Sequence, residues 1–282
     1  MMWNGQSRNH DKITSEQQSL DGNVSNIVLC ITQLTHRYAN GQTALNDVTF
    51  TIKAGECVAL VGPNGAGKTT LFLRLCGVLT GQPGQATICG LDPALPSHRS
   101  KLPQSVGIVF QNPDDQLFSP TVLEDVAFGL LNLGASPDEA RSQAMKAISA
   151  VGLPELSERS PTQLSGGEKR RVALAGVLAM NPSVLLLDEP TAYLDPRGRR
   201  DFIQLIDKLP GTKLIATHDL EMVLDLCSRV IILDSGRVVA DGPANELLAN
   251  QFVMEMHGLE VPYRLRSVGT RSLTHSRPTT HD

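Results

Sequence analysis

An α/β fold built on a parallel sheet is the prediction, and three observations carry it. Cys57–Val61 is a short apolar strand that runs into a glycine-rich loop and then into Thr69–Leu79, a segment of helical periodicity. Val184–Leu187 is an unbroken apolar run, the pattern of a strand buried on both faces. Around these, strand-like and helix-like segments alternate, as parallel strands joined by helical crossovers do.

The remaining elements follow in order. Val28–Leu34 alternates like a strand, and Ala44–Ile52 reads as a second after a turn at Asn40-Gly41. Strands are expected near Gln85–Ile88 and Val106–Phe110. The middle reads as helical over Val122–Leu131, Pro137–Val151 and Glu168–Met180. Ser136-Pro137-Asp138-Glu139 is a strong helix start, with Pro at the first position and acids in the first turn. Beyond Val184–Leu187 come a helix at Pro196–Leu209, a strand at Lys213–Thr217 and a short helix at Leu220–Leu226. Arg229–Leu233 and Arg237–Ala240 flank Asp234-Ser235-Gly236 and read as a hairpin. Ala244–Ala249 and Gln251–His257 read as short helices. The two early strands and the helical middle look like insertions into the parallel core.

Composition narrows the function classes. The 282 residues carry 25 Lys+Arg against 29 Asp+Glu, a net charge of -4. That balance argues against a dedicated nucleic-acid binder, which needs a basic face. The longest apolar run, Val172–Met180, falls well short of the roughly 20 residues that span a bilayer. Met1–Asn26 lacks the apolar stretch of a signal peptide. A cytosolic chain is expected, so any membrane role works through a partner. Residues 1–26 are rich in Asn, Gln, Ser and Asp and read as a disordered leader, and residues 267–282 as a disordered tail. The five cysteines, Cys30, Cys57, Cys76, Cys89 and Cys227, are odd in number, widely spaced and contain no CxxC pair. They are expected to be buried free thiols without a zinc or redox role.

Three motifs carry chemistry. Gly62-Pro63-Asn64-Gly65-Ala66-Gly67-Lys68-Thr69-Thr70 fits G-x-x-x-x-G-K-[ST] between a strand and a helix, the context that pattern requires. Its glycines let the backbone wrap phosphates, and amide N–H groups at the helix start point at them. Lys68 adds a cation near the β- and γ-phosphates, and the Thr69 hydroxyl can ligate Mg²⁺. Val184–Leu187 then delivers Asp188 and Glu189 at the end of a buried strand, where open α/β sheets place ligands. Asp188 would hold Mg²⁺ and Glu189 would polarise an attacking water as general base. Leu164-Ser165-Gly166-Gly167-Glu168 precedes a helix and makes a second anion site. One nucleotide does not need two such sites in one chain, but a second copy could present this one to the first copy's γ-phosphate.

In this order the three motifs resemble the ATP-binding cassette (ABC) family of ATPases, over about residues 27–249. The resemblance implies a P-loop NTPase core of the ABC ATPase type, with an antiparallel β subdomain and a helical subdomain. It makes residues 250–266 a short C-terminal helical extension, with Phe252, Val253 and Met256 as candidates for a dimer contact or for packing on the parent domain. It also implies roles for further residues. Tyr38 would stack on adenine. Gln111 would sense Mg²⁺ and water and face the membrane partner. Ala192-Tyr193-Leu194-Asp195 would form the loop that couples two sites across a dimer, and His218 would contact the γ-phosphate. Tyr193 is bulky where relatives often carry a small residue. No catalytic position is substituted, so ATP hydrolysis is expected. Two cassettes would close head to tail on two ATPs, each site pairing one P-loop with the partner's Ser165, Gly166 and Gly167.

One segment is more specific. Val109–Phe118, followed by Val122–Gly129, resembles the ATPases of energy-coupling-factor importers, particularly the cobalt/nickel group. That resemblance implies a small transmembrane coupling protein and a substrate-capture membrane protein as partners, with this chain peripheral on the cytoplasmic face of the cell membrane. An exporter ATPase is the competing reading within transport. ABC ATPases of DNA repair separate their motifs with long coiled coils, and those of translation carry two cassettes. Neither pattern is present in this chain, so a soluble regulator that binds ATP without transport is the non-transport alternative that stays open.

Overall fold

Successive residues of the central strands bury against opposite faces, and this divides the core in two. Val58 and Leu60 belong to one apolar cluster and Ala59 and Val61 to the other; Leu186 and Leu187 split the same way. That is the signature of a sheet covered on both sides, and it explains why these strands read as continuous apolar runs. The computed structural model describes residues 26–266. The leader and tail expected at residues 1–26 and 267–282 lie outside them, apart from Asn26.

Strands β1 (Ile27–Arg37) and β2 (Thr43–Lys53) pair antiparallel, with Ile31 opposite Phe50. Strand β3 (Cys57–Val61) leads into helix α1 (Lys68–Leu75), and β4 (Ala86–Ile88) returns to pair with β1. These three antiparallel strands form a small sheet in the order β2-β1-β4. Helix α2 (Leu102–Ser105) is a single turn before β5 (Val106–Val109). A helical layer follows, α3 (Val122–Asn132), α4 (Pro137–Ala150) and α5 (Gly166–Ala179). Each of these helices starts on a Ser or Thr whose hydroxyl is paired with the glutamate three residues on: Thr121 with Glu124, Ser136 with Glu139, Ser165 with Glu168. Two otherwise unsatisfied amides are thereby capped at each start.

Strand β6 (Val184–Asp188), helix α6 (Pro196–Lys208), strand β7 (Thr212–Ala216), helix α7 (Leu220–Leu226) and the hairpin β8 (Arg229–Asp234) and β9 (Arg237–Pro243) complete the larger sheet. Its order is β5-β6-β7-β3-β8-β9, parallel except for β9. The small sheet and α1 cover one face through Ile31, Phe50, Leu71 and Phe72, and the helices cover the other.

The element order follows the expectation, with shifted ends. The helix expected to reach Leu79 stops at Leu75. Cys76 caps it and Gly77 turns left-handed (φ 70°), a stop signal that the apolar Val78 and Leu79 masked. The helix expected from Glu168 begins two residues earlier, and β9 runs on to Pro243. Helices α8 (Ala244–Ala249) and α9 (Gln251–Met256) pack on the core through Leu248 and Met254. Of the candidate contacts in this region, Val253 packs against that core, while Phe252 and Met256 are exposed. His257 Nδ1 lies 2.9 Å from Asp234, and Arg264 pairs with Glu221 and Asp225. The expectation of buried cysteines holds for Cys227 alone: Cys30, Cys57 and Cys76 are half-buried, and Cys89 is exposed on the left-handed turn after β4.

Candidate active site

The loop between β3 and α1 can exist only with glycine at two of its positions. At Gly62 a Cβ would meet the Leu233 carbonyl oxygen of β8 at 1.9 Å, and at Gly67 (φ 109°) it would meet that of Ala44 at 2.5 Å. The loop is thus wedged between β8 and the small sheet, and its backbone curls at the start of α1. Lys68 is buried to 8% exposure and folds back over the curl, its Nζ donating to the carbonyls of Gly62 (2.7 Å) and Pro63 (3.1 Å). Burial holds its ammonium below the usual lysine value, against the pull of Glu189 and Asp188.

Strand β6 brings its acids to the same point. Thr69 Oγ1 donates to Asp188 Oδ2 at 2.8 Å, and burial raises the Asp188 carboxyl above its usual range. Thr69 and Asp188 are hard oxygen donors of the type Mg²⁺ takes. No group of three or more His, Cys, Asp and Glu converges into a metal site among the described residues. Mg²⁺ usually takes one or two protein ligands, with phosphate and water completing its shell.

Glu189 is held more unusually. Its backbone is left-handed (φ 45°), a conformation costing a non-glycine residue about 1–3 kcal/mol. Its Oε2 accepts from the Thr217 hydroxyl (3.3 Å) and the His218 amide (3.2 Å). Its Oε1 is buried, 3.4 Å from His218 Nε2, and makes no hydrogen bond. Burial raises this carboxyl as well. His218 follows β7, and its Nε2 lies 3.3 Å from Lys68 Nζ. An ammonium can only donate, so the imidazole accepts there, and burial and then Lys68 hold it below its usual value and neutral.

Gly65, Ala66, Gly67, Lys68, Thr69, Thr70, Gln111, Asp188, Glu189 and His218 line one cleft of about 530 Å³, together with Asn64 and Tyr38. Gly62 and Pro63 sit beneath it as acceptors for Lys68. Tyr38 closes one end, its hydroxyl bonded to Thr70 Oγ1 at 2.9 Å. Another cleft, of about 550 Å³, lies against Tyr38, lined by His36, Val78–Gln82 and Gln85. It holds neither acid nor lysine of the set above. Ser165, Gly166 and Gly167 do not join the main cleft. Ser165 caps α5, and Gly166 lines a separate hollow of about 470 Å³ that shares Gln111, Ala192 and Tyr193 with it. Tyr193 is 90% exposed with φ 62°, so its bulk projects outward and does not crowd the loop.

Two residues at the site carried no motif. Arg170 of α5 is 2% exposed and donates to the carbonyls of Glu189 (2.7 Å), Gln111 (2.8 Å) and Ala192 (3.0 Å). One guanidinium thus ties together three loops that line the cleft. In sequence it stands within Lys169-Arg170-Arg171, which reads as a solvated basic cluster; its position one turn after Ser165 was the only signal. Asp219 caps α7, takes both Arg199 Nε (2.6 Å) and Nη2 (2.7 Å), and accepts from Thr191. Burial opposes its charge, yet the Arg199 fork holds its carboxyl below the usual range. Arg170→Ala would leave three carbonyls unpaired beside a cavity. We expect a loss of about 3 kcal/mol in urea unfolding and a lower ATP turnover.

The main cleft can seat a polyphosphate against backbone amides and a buried cation, with a metal at one end and a basic carboxylate beyond it. Comparison with known proteins agrees. The family model described as ABC transporter matches residues 45–192. A Gloeobacter violaceus protein named "Putative ABC transporter ATP-binding protein" is 52% identical over 240 residues, 84% of this chain and 98% of that one. The energy-coupling factor transporter ATP-binding protein EcfA of Methanoculleus marisnigri is 43% identical over 233 residues, 81% of this chain and 84% of that one. Among solved structures, cbiO1 from Clostridium perfringens, described as part of the ABC transporter complex cbiONQ, is similar with a TM-score of 0.71. It is 39% identical, with 82% of this chain and 94% of that chain covered.

Proposed function

The chain belongs to the ABC transporter family of ATP-binding proteins, and we propose that it energises an importer of the energy-coupling-factor type, for cobalt, nickel or another trace nutrient. Membership means that it binds ATP and that hydrolysis is coupled to transport. Support for the importer class comes from the EcfA relative and the likeness to cbiO1. In this reading residues 27–249 are the ATPase domain and 250–266 its helical extension.

The observation that carries the hydrolytic reading is the placement of Glu189, a carboxylate lining the same cleft as Lys68, Thr69, Asp188 and His218. A carboxylate there can take the proton of a water that attacks the γ-phosphate. Lys68 and the loop amides would bind the β- and γ-phosphates, Tyr38 would stack on adenine, and His218 would contact the γ-phosphate. Mg²⁺ held by Thr69 and Asp188, with Gln111 beside it, would neutralise phosphate charge. Glu189 must be ionised to act, and burial raises it above 4.5, its ordinary value. Turnover is therefore expected to fall on acidification with a midpoint above pH 4.5, and a pH–rate profile of the purified complex checks it. A flat profile down to that pH would remove Glu189 as the base.

Ser165, Gly166 and Gly167 lie off the chain's own cleft, which supports their serving a second cassette's nucleotide. ABC ATPases dimerise and work with membrane components. Ser165→Ala is thus expected to slow hydrolysis by about 10²-fold in the assembled complex, the cost of one lost transition-state donor. ATP affinity of the isolated chain should not change. A matching loss of affinity would assign Ser165 to the chain's own site.

No helix among the described residues is long and apolar enough to cross a membrane. In this reading the chain sits peripherally on the cytoplasmic face, held by a small transmembrane coupling protein that works with a substrate-capture membrane protein. A surface suited to that contact lies beside Gln116. Phe118 (66% exposed) and Phe128 (46%) stack edge to face at 4.9 Å, next to exposed Leu131. Exposed aromatics grouped in this way favour an apolar partner.

A further inference from the structure

The sulfurs of Cys57 and Cys227 lie 3.6 Å apart, although 170 residues separate them in the chain. Sheet register produces the meeting. Val58 of β3 pairs with Arg229 of β8, so the residue before Val58 and the residue two before Arg229 arrive at the same sheet end. Cys57 opens β3 and Cys227 caps α7. Cys57 is half-buried, whereas Cys227 is buried at 7% exposure. Cys57 is the more exposed residue of the pair and Cys227 the more sheltered, the order of an attacking and a resolving thiol.

We propose that Cys57 and Cys227 form a peroxide-reactive site that closes reversibly to a disulfide. The Cys57 sulfur attacks the hydroxyl-bearing oxygen of a hydroperoxide; the S–O bond forms, the O–O bond breaks, and the other oxygen takes up the Cys57 proton and leaves as water or alcohol. The Cys227 sulfur then attacks the sulfenic sulfur; the S–S bond forms, the S–O bond breaks, and the hydroxyl leaves as water with the Cys227 proton. Two thiols lose two electrons and the peroxide gains them. To form the bond the sulfurs must close from 3.6 Å to about 2.0 Å. The S–H of Cys227 pulls the Cys57 thiol below its usual value against the effect of burial, which favours Cys57 as the attacking thiolate. By contrast, burial pushes the Cys76 thiol up to about 12. The bridge would tie the start of the strand that leads to the phosphate loop to the end of the helix that follows His218.

The test is peptide mapping of the folded full chain after hydrogen peroxide and alkylation. The expected product is one dominant cross-linked peptide joining Cys57 to Cys227, lost on dithiothreitol treatment. Cys227→Ser should leave Cys57 as a sulfenic acid that dimedone labels. Cys57→Ala, checked for folding by circular dichroism, should protect Cys227 from oxidation. Cross-links scattered statistically over the five cysteines, or both thiols still alkylated while Cys89 is oxidised, would overturn the proposal.

Discussion

Glu189→Gln is expected to slow ATP hydrolysis by about 10²–10⁴-fold, the usual contribution of a positioned general base. The substitution keeps size and both acceptor contacts of Oε2, because a glutamine oxygen can still accept from Thr217 and the His218 amide. What it removes is the carboxylate's charge and basicity, which a general base needs. ATP binding should persist, since Lys68 and the loop amides are untouched, and the dimer should accumulate closed around ATP. Single-turnover hydrolysis together with size-exclusion chromatography in ATP reads both effects. Turnover near the wild-type rate would remove Glu189 from its role.

Lys68→Ala acts on the earlier step and should weaken ATP binding by about 100-fold. A charge-assisted hydrogen bond to phosphate contributes roughly 1.5–3 kcal/mol, and each 1.4 kcal/mol is tenfold in affinity. The same ammonium also braces the carbonyls of Gly62 and Pro63, so a small drop in melting temperature is expected with it. Titration with a fluorescent ATP analogue separates the two effects, provided the variant's circular dichroism stays native. Unchanged affinity in a folded variant would count against the loop as the phosphate site.

How far the sequence announced this site depended on whether the chemistry was local. The loop from Gly62 to Thr70 is contiguous, and each of its residue types answers a need that can be stated without a fold. Asp188 and Glu189 were legible because the buried strand before them allows only one exit point. His218 and Gln111 needed the family resemblance, since a lone strand-end His or Gln has many bland uses. Arg170 and Asp219 were not legible. Arg170 gains its meaning from three carbonyls on separate loops, and Asp219 from the fork of Arg199. The meeting of Cys57 and Cys227 escaped for the same reason, being set by the register of β3 against β8. Element ends depart from the periodicity where a local signal conflicts with it, as at Gly77, which halts α1 although Val78 and Leu79 continue the apolar spacing.

What the chain energises is read from its partners. The tagged full chain is purified from its native membrane in mild detergent, and copurifying proteins are identified by mass spectrometry. A small transmembrane coupling protein is expected, together with a membrane protein that captures cobalt, nickel or another trace nutrient. A large two-domain permease, or a soluble partner alone, would contradict the importer reading while leaving the ATPase in place.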